Sequence, residues 1–292
     1  MQQEEPRLLR LAIPNKGRIA QPIMDLVEKS GLHLERAGTR KLITKTCDPE
    51  VEVLFARPID IPEYVANGAA DLGITGKDMV MERGADVETL LDLRMGKATL
   101  VIAVPEDSAI TSVQDLEDAK VATEFSGICK HYFAEMGISV TLVPVGGACE
   151  ATPYLGIADA IVDLSSSGTT LATNHLRVVE NVLHSSTVLI ANRDSLRDRK
   201  EKMDEIHLAL DSVITAQGQC YLMMNVQRAA LDEVRSVLPG LSGPTVMDVA
   251  SSDDLVAVHA VVAEKQIYSL ISALRRAGAR DILVMPIERM IR

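Results

Sequence analysis

Asp159-Ala-Ile-Val-Asp163-Leu-Ser-Ser-Ser-Gly168-Thr-Thr170-Leu171 reads as a strand, a small-residue loop and the start of a helix. The apolar run Ala160 to Val162 ends in the acid Asp163, and a helix-like run continues from Leu171 to Leu176. Gly168 lets a backbone come close to a ligand, and the amides of such a loop lie at the positive end of a helix dipole. Ser165, Ser166, Ser167, Thr169 and Thr170 add hydroxyl donors. Asp163 does not suit an anion, which assigns it to a sugar hydroxyl or a metal. An acid ahead of a hydroxyl-rich loop suggests a ribose phosphate. The same residues also suit an ordinary N-cap, and short motifs of this length recur by chance.

Upstream, Gly68-Ala-Ala-Asp71-Leu-Gly-Ile-Thr75-Gly76 has a counterpart in Gly156-Ile-Ala-Asp159-Ala-Ile-Val-Asp163. A strand–loop–helix–strand series leads into each of them, a weak internal repeat. Strands are expected at Leu8 to Ile13, Val51 to Phe55, Leu100 to Val104, Lys120 to Thr123, Val140 to Val143 and Thr187 to Ala191. Helices are expected after Ile19, after Asp60 and from Ile128 to Met136, and a charged one from Ser195 through Ala216. This pattern predicts an α/β fold of two lobes with ligands at the carboxyl ends of the strands. The first lobe covers 1–104, with 191–216 returning to it; the second covers 105–190.

Residues 217–292 follow a different pattern. Strands at Tyr221 to Val226, Thr245 to Val249, Leu255 to Val262 and Ile282 to Met285 alternate with two helix faces. Pro239-Gly240 stops the first helix, Gly278 stops the second, and Ser251 to Asp254 form an acidic turn. The order βαββαβ predicts a ferredoxin-like module. It has no nucleophile–base pair, so a regulatory or assembly role is expected.

Composition narrows the function. At 292 residues and 47% hydrophobic the chain can build more than one core. Aromatics at 3% make those cores aliphatic and leave few stacking platforms for nucleic acid. A net charge of −11 repels nucleic acid and anionic membrane, so an anionic substrate needs local cations or a divalent ion. Cys47, Cys129, Cys149 and Cys220 show no metal or disulfide spacing. The acidic N-terminus and the absence of a long apolar run predict a cytosolic protein.

Lys16, Arg18 and Arg57 stand just past predicted strand ends. On parallel strands they would share one rim and could hold a polyphosphate; taken singly they read as solvated surface. Asp71, Glu124, Glu150 and Asp163 are the carboxylates available for Mg²⁺ or ribose hydroxyls, since Mg²⁺ needs only one or two carboxylates beside substrate phosphates. The histidines show no ligand spacing, and no serine or cysteine hydrolase signature is present.

Taken together, these blocks resemble the ATP phosphoribosyltransferase family of histidine biosynthesis, in its long form. The matching segments are Asn15-Lys16-Gly17-Arg18, Arg57 with Asp60-Ile-Pro, Ala70-Asp71-Leu-Gly-Ile-Thr-Gly76, Val121-Ala-Thr-Glu124, Glu150 and Gly156 to Leu171. Pro239-Gly-Leu-Ser-Gly-Pro244-Thr245 and Ala277-Gly278-Ala-Arg-Asp-Ile-Leu-Val284 continue the match in the last part, so that it spans about Leu8 to Ile291. The resemblance implies a catalytic part like type II periplasmic binding proteins and an ACT-like regulatory domain. It implies that Glu150, Asp163, Ser165, Ser166, Ser167, Gly168, Thr169 and Thr170 bind phosphoribosyl pyrophosphate. It assigns Lys16, Gly17, Arg18, Arg57, Asp71, Thr75, Gly76 and Glu124 to ATP. Asn225, Leu241, Gly243, Thr245 and Ala279 are implied to bind the feedback inhibitor histidine, with AMP as a further inhibitor. Mg²⁺ would ride mainly on substrate phosphates, with Glu150 or Asp163 as its protein ligand. Dimers and hexamers are implied. Asn225 stands where some relatives carry Asp and Gly243 where many carry Ser. Tyr154-Leu155 lacks the basic residue many relatives have after the equivalent of Pro153. A two-lobed cytosolic ligand sensor without catalysis shares the same fold logic and is the alternative reading.

Overall fold

Leu9–Pro14 (β1) is buried at every position but Arg10, as a strand covered on both faces must be. The computed structural model describes residues 7–35, 42–238, 243–250 and 252–292. After β1 come α1 (Ala20–Lys29), β2 (Ile43–Lys45), β3 (Val51–Ala56), α2 (Ile61–Ala66), β4 (Leu72–Gly76), α3 (Lys77–Arg83) and β5 (Glu88–Asp92). The chain goes on through β6 (Ala98–Pro105), β7 (Lys120–Thr123), α4 (Ser126–Met136), β8 (Thr141–Pro144), β9 (Ala160–Ser165), α5 (Thr169–Thr173), β10 (Leu176–Ser185) and β11 (Thr187–Ala191). Helices α6 (Arg193–Asp198) and α7 (Lys200–Ala216) lead to β12 (Gln219–Gln227), α8 (Leu231–Val237), β13 (Thr245–Val249), β14 (Ser252–Ala263), α9 (Ile267–Arg276) and β15 (Arg280–Pro286).

The fold is mixed α/β. A six-stranded sheet runs β2-β3-β1-β4-β11-β5, and a five-stranded sheet runs β10-β6-β9-β7-β8. In the first, β1 is parallel to β3 and β4, and β11 is antiparallel to β4 and β5. In the second, β7 is parallel to β8 and β9, and β6 is antiparallel to β9 and β10. Ile13, Leu72, Ile74 and Leu189 are fully buried in the first sheet, Leu100, Ile102 and Ile161 in the second. Each such side chain contributes about 1.5–3 kcal/mol by leaving water.

Three expectations are corrected here. Strand β6 belongs to the second sheet, because its partners are β9 and β10, so the lobes divide at 93–97 rather than at 104. The helix-like run Leu171 to Leu176 is helical only as far as Thr173, and Leu176 already opens the edge strand β10, whose alternation is broken by register shifts at Val178/Glu180 and Asn181/Leu183. The charged helix is two helices, broken at Arg199, whose φ of −129° leaves the helical region.

The chain divides into two compact units, Met1–Leu208 and Ala209–Arg292. This division falls inside α7, earlier than the expected 217. The Met290 N–H donates to the Ser212 carbonyl at 2.8 Å, which ties the second half of the helix to the chain's last segment. The second unit carries one antiparallel sheet, β13-β14-β12-β15, the strand order of a ferredoxin-like module. Leu222, Met224 and Val226 of β12 and Val256 and Val258 of β14 alternate inward onto Leu270 and Leu274 of α9. Asp253 and Asp254 lie within β14, not in a turn. Pro239-Gly240 and Ser251 lie outside the described residues. Among the described residues no helix is long and apolar enough to cross a membrane.

Candidate active site

Two short crossings, 93–97 and residue 186, join the lobes of the first unit. The first residue after the second crossing, Thr187, pairs with Gly76 at the carboxyl end of β4. Just after the first crossing, Thr99 pairs with Ser165 at the carboxyl end of β9. Both sets of parallel strands therefore end at the hinge, and their exit loops form the rims of one cleft.

On the first rim, Lys16, Gly17 and Arg18 follow β1 and are exposed, with Gly17 at φ +93°. Arg57 follows β3, exposed, 4.0 Å from the Asp60 carboxylate. Since β1 and β3 are parallel, these cations share an edge. Thr75 is fully buried, and its hydroxyl donates to the Pro58 carbonyl at 2.8 Å, so it braces the loop after β3. Gly76 has no room for a side chain: an added Cβ would lie 2.2 Å from the Asp78 carboxylate.

Asp71 does not join this rim. It sits at the amino end of β4, 2% exposed. Its carboxylate accepts from the Arg10 N–H at 2.8 Å, the Ser195 hydroxyl at 2.8 Å and the Arg7 guanidinium at 3.1 Å. An acid saturated this way, at the far end of the strand, is a structural anchor. Its expected place among the ATP contacts is thereby corrected.

The second rim gathers three carboxylates. Glu124 follows β7, Glu150 lies in the short turn Cys149–Ala151, and Asp163 is half-buried in β9. Burial raises the Asp163 pKa, and the charges of Glu124 and Glu150 push it the same way; the Leu164 N–H, donating at 2.7 Å, opposes them. The same three acids surround Cys149, whose thiol is pushed up to about 12 by burial first and by their charges second. It is no nucleophile. Among the described residues no three His, Cys, Asp or Glu side chains are grouped to hold a metal ion by themselves.

The hydroxyl loop lies open. Ser166, Ser167, Thr169 and Thr170 are exposed, Ser165 and Gly168 half-buried, and Leu171 anchors the helix start at 6% exposure. Gly168 adopts φ +74°, which only glycine enters freely, with nothing within 4 Å of an added Cβ. The Ser165 hydroxyl accepts from the Gly168 N–H at 3.1 Å, so one amide of the cradle is engaged within the loop.

Several contributors escaped the sequence reading. A cavity of about 780 Å³ at the hinge is lined by Lys77, Lys97 and His184 together with Ser165 and Ser166. Lys97 ends the first crossing and His184 pairs with Thr99 in the β6–β10 ladder, which no local signal reveals. Behind the loop, the Tyr154 hydroxyl reaches the carbonyls closing α5.

In the second unit, Gly243 and Thr245 line a cavity of about 680 Å³ with Tyr221, Met247 and His259. Asn225 and Ala279 are not in its lining: Asn225 donates to the Asp281 carboxylate at 3.0 Å, and Ala279 is buried in the core. Leu241 lies outside the described residues. The five expected histidine contacts do not share this one cavity.

Residues 57–212 match the family model described as ATP phosphoribosyltransferase (HisG), and residues 216–289 match the HisG C-terminal domain. The chain belongs to the ATP phosphoribosyltransferase family. It is 55% identical over 284 residues to the ATP phosphoribosyltransferase of Methanococcoides burtonii, covering 97% of this chain and 100% of that one. The Methanocella arvoryzae protein of the same name is 56% identical over 285 residues, 98% of this chain and 100% of that one. A solved ATP phosphoribosyl transferase (HisG:HisZ) complex from Thermotoga maritima aligns with a TM-score of 0.64 at 27% identity, over 71% of this chain and 99% of that chain. As a member of this family the chain is a transferase of histidine biosynthesis.

Proposed function

We propose that the chain transfers the 5-phosphoribosyl group of phosphoribosyl pyrophosphate to N1 of ATP, the first step of histidine biosynthesis. The observation that carries this reading is the pairing of the two rims. An open hydroxyl loop backed by Asp163, Glu124 and Glu150 faces, across one hinge, the edge that bears Lys16, Arg18 and Arg57. The loop suits the 5-phosphate, Asp163 the ribose hydroxyls, and the cations the triphosphate of ATP. In the reaction the N1 lone pair bonds to C1 of the ribose, the C1–O bond breaks, and its electron pair leaves with pyrophosphate. Such a step needs two anions held in line more than it needs a strong base. This agrees with a sequence that carries no serine or cysteine hydrolase signature and with the raised thiol pKa of Cys149.

Mg²⁺ fits this donor set. Asp163 and Glu150 supply the one or two carboxylates such an ion takes beside substrate phosphates and water. When bound, it neutralises charge on the leaving pyrophosphate. Asp71 is withdrawn from the ATP contacts for the reason given above.

The second unit is read as an ACT-like regulatory domain that binds histidine; AMP is a further inhibitor, and the working particle is a homo-oligomer, dimer and hexamer. Thr245 and Gly243, which line the cavity beside His259, support the histidine site.

The test is the ultraviolet absorbance of phosphoribosyl-ATP in purified protein mixed with both substrates and Mg²⁺. Product formation that histidine suppresses is the expected result. A folded protein that binds a small ligand and makes no product would favour the sensor reading.

A further inference from the structure

Helix α3 belongs to the first lobe by sequence but is held by both. Val80 packs against the first lobe's core and Met79 against the second's. At its start, the Asp78 carboxylate accepts from the Ser185 hydroxyl at 2.5 Å, beside the second crossing. At its end, the Glu82 carboxylate accepts from the Gly127 and Ile128 N–H groups at 2.9 and 3.0 Å. Those amides open α4 in the second lobe, where a helix leaves its first donors without partners and favours negative charge. The approach is close: a Cβ on Gly127 would lie 2.4 Å from the Glu82 carbonyl oxygen. Meanwhile Arg83 ties the same turn to the Ile59 carbonyl and to Asp60 in the first lobe.

We infer that Glu82 is a positioning residue: its bond to the start of α4 latches the two lobes and sets the separation of the cation edge from the hydroxyl loop. The hinge has only two connections and permits rotation about them. The latch joins a residue six positions past the end of β4 to amides three and four positions past Glu124, so it fixes one loop from each rim. Opening the lobes leaves each half-site intact but populates less of the arrangement that holds both substrates, and apparent affinity falls by that fraction. The inference rests on the proposed reaction for its kinetic consequence, but not for its geometry.

The test uses the full chain and the variants Glu82→Ala, Glu82→Gln and Gly127→Ala. Glu82→Ala is expected to raise KM for both substrates about tenfold while kcat stays within about twofold. Glu82→Gln keeps an acceptor oxygen and should fall between the two. Gly127→Ala, which presses on the latch from the other side, should behave like Glu82→Ala. Spin labels at the exposed sites Asn67→Cys and Ala134→Cys, in a Cys47→Ser background and diluted with unlabelled protein, report the lobe separation without substrate. A narrow distribution that broadens to longer distances in Glu82→Ala supports the latch. Unchanged distances overturn it whatever happens to KM, because a KM effect alone would mean direct substrate contact. Broadened distances with unchanged KM overturn the positioning role. Should Glu82→Ala not fold, Glu82→Gln and Gly127→Ala are read by the same criteria. A wild-type protein that makes no product would remove the proposed reaction and leave the distance test standing.

Discussion

The Tyr154 hydroxyl lies 2.8 Å from the Asn174 carbonyl and 3.0 Å from that of His175, so a side chain of the preceding segment fastens the last turn of α5. Helix α5 has only five residues and cannot hold itself in water. Its start is the hydroxyl loop, and Tyr154 therefore steadies that loop from behind.

Tyr154→Phe removes the bond and keeps the ring. Stability should drop by about 1 kcal/mol, and KM for phosphoribosyl pyrophosphate should rise several-fold with KM for ATP unchanged. Steady-state kinetics with each substrate varied in turn checks this. Equal effects on the two substrates would mean that the loss is global.

Asp163 separates stability from function. Its folded pKa lies above the unfolded value, so ionisation at neutral pH costs stability. The contribution is favourable below the unfolded pKa and is lost as pH rises through the folded one. Asp163→Asn removes that cost and should raise Tm by about 2 °C near pH 7. The gain should vanish at acid pH, where the wild-type carboxyl is protonated. Affinity for phosphoribosyl pyrophosphate should fall at least tenfold, as read by calorimetry.

Asp71→Ala should do the reverse. It leaves the Arg10 amide, the Ser195 hydroxyl and the Arg7 guanidinium without their acceptor, at about 3–5 kcal/mol. Denaturant melting should show the loss, and KM of the surviving folded enzyme should match wild type. A selective rise in KM for ATP would return Asp71 to the substrate site.

Thiol chemistry gives an inexpensive check of the cores. Cys129 and Cys149 are pushed up to about 12, chiefly by burial, Cys220 is raised by burial too, and Cys47 alone is exposed. A thiol reagent should titrate one cysteine quickly in the folded protein and all four after denaturation.

The parts of the fold legible in the sequence are those whose signal is local. The buried run of β1, the Gly137 stop of α4 at φ +69° and the alternation of β12 each declare themselves in a few residues. The exit loops at Lys16, Arg57, Glu124 and Ser165 could likewise be read from strand ends. What stayed hidden depends on pairing. The place of β6 in the second sheet, the bulged β10 and the burial of Asp71 follow from contacts between segments distant in the chain. The Glu82 bond to α4 spans 45 residues and has no sequence signature.

The two register shifts in β10 have a further effect. A ten-residue strand on the outside of a sheet offers its free side to any extended chain nearby. Shifts at Val178/Glu180 and Asn181/Leu183, with the exposed side chains of Glu180 and Asn181 among them, break the even row of donors and acceptors that such a chain would need. An insertion or deletion that restored a regular ladder there would leave the cleft untouched and make the protein prone to stacking edge to edge.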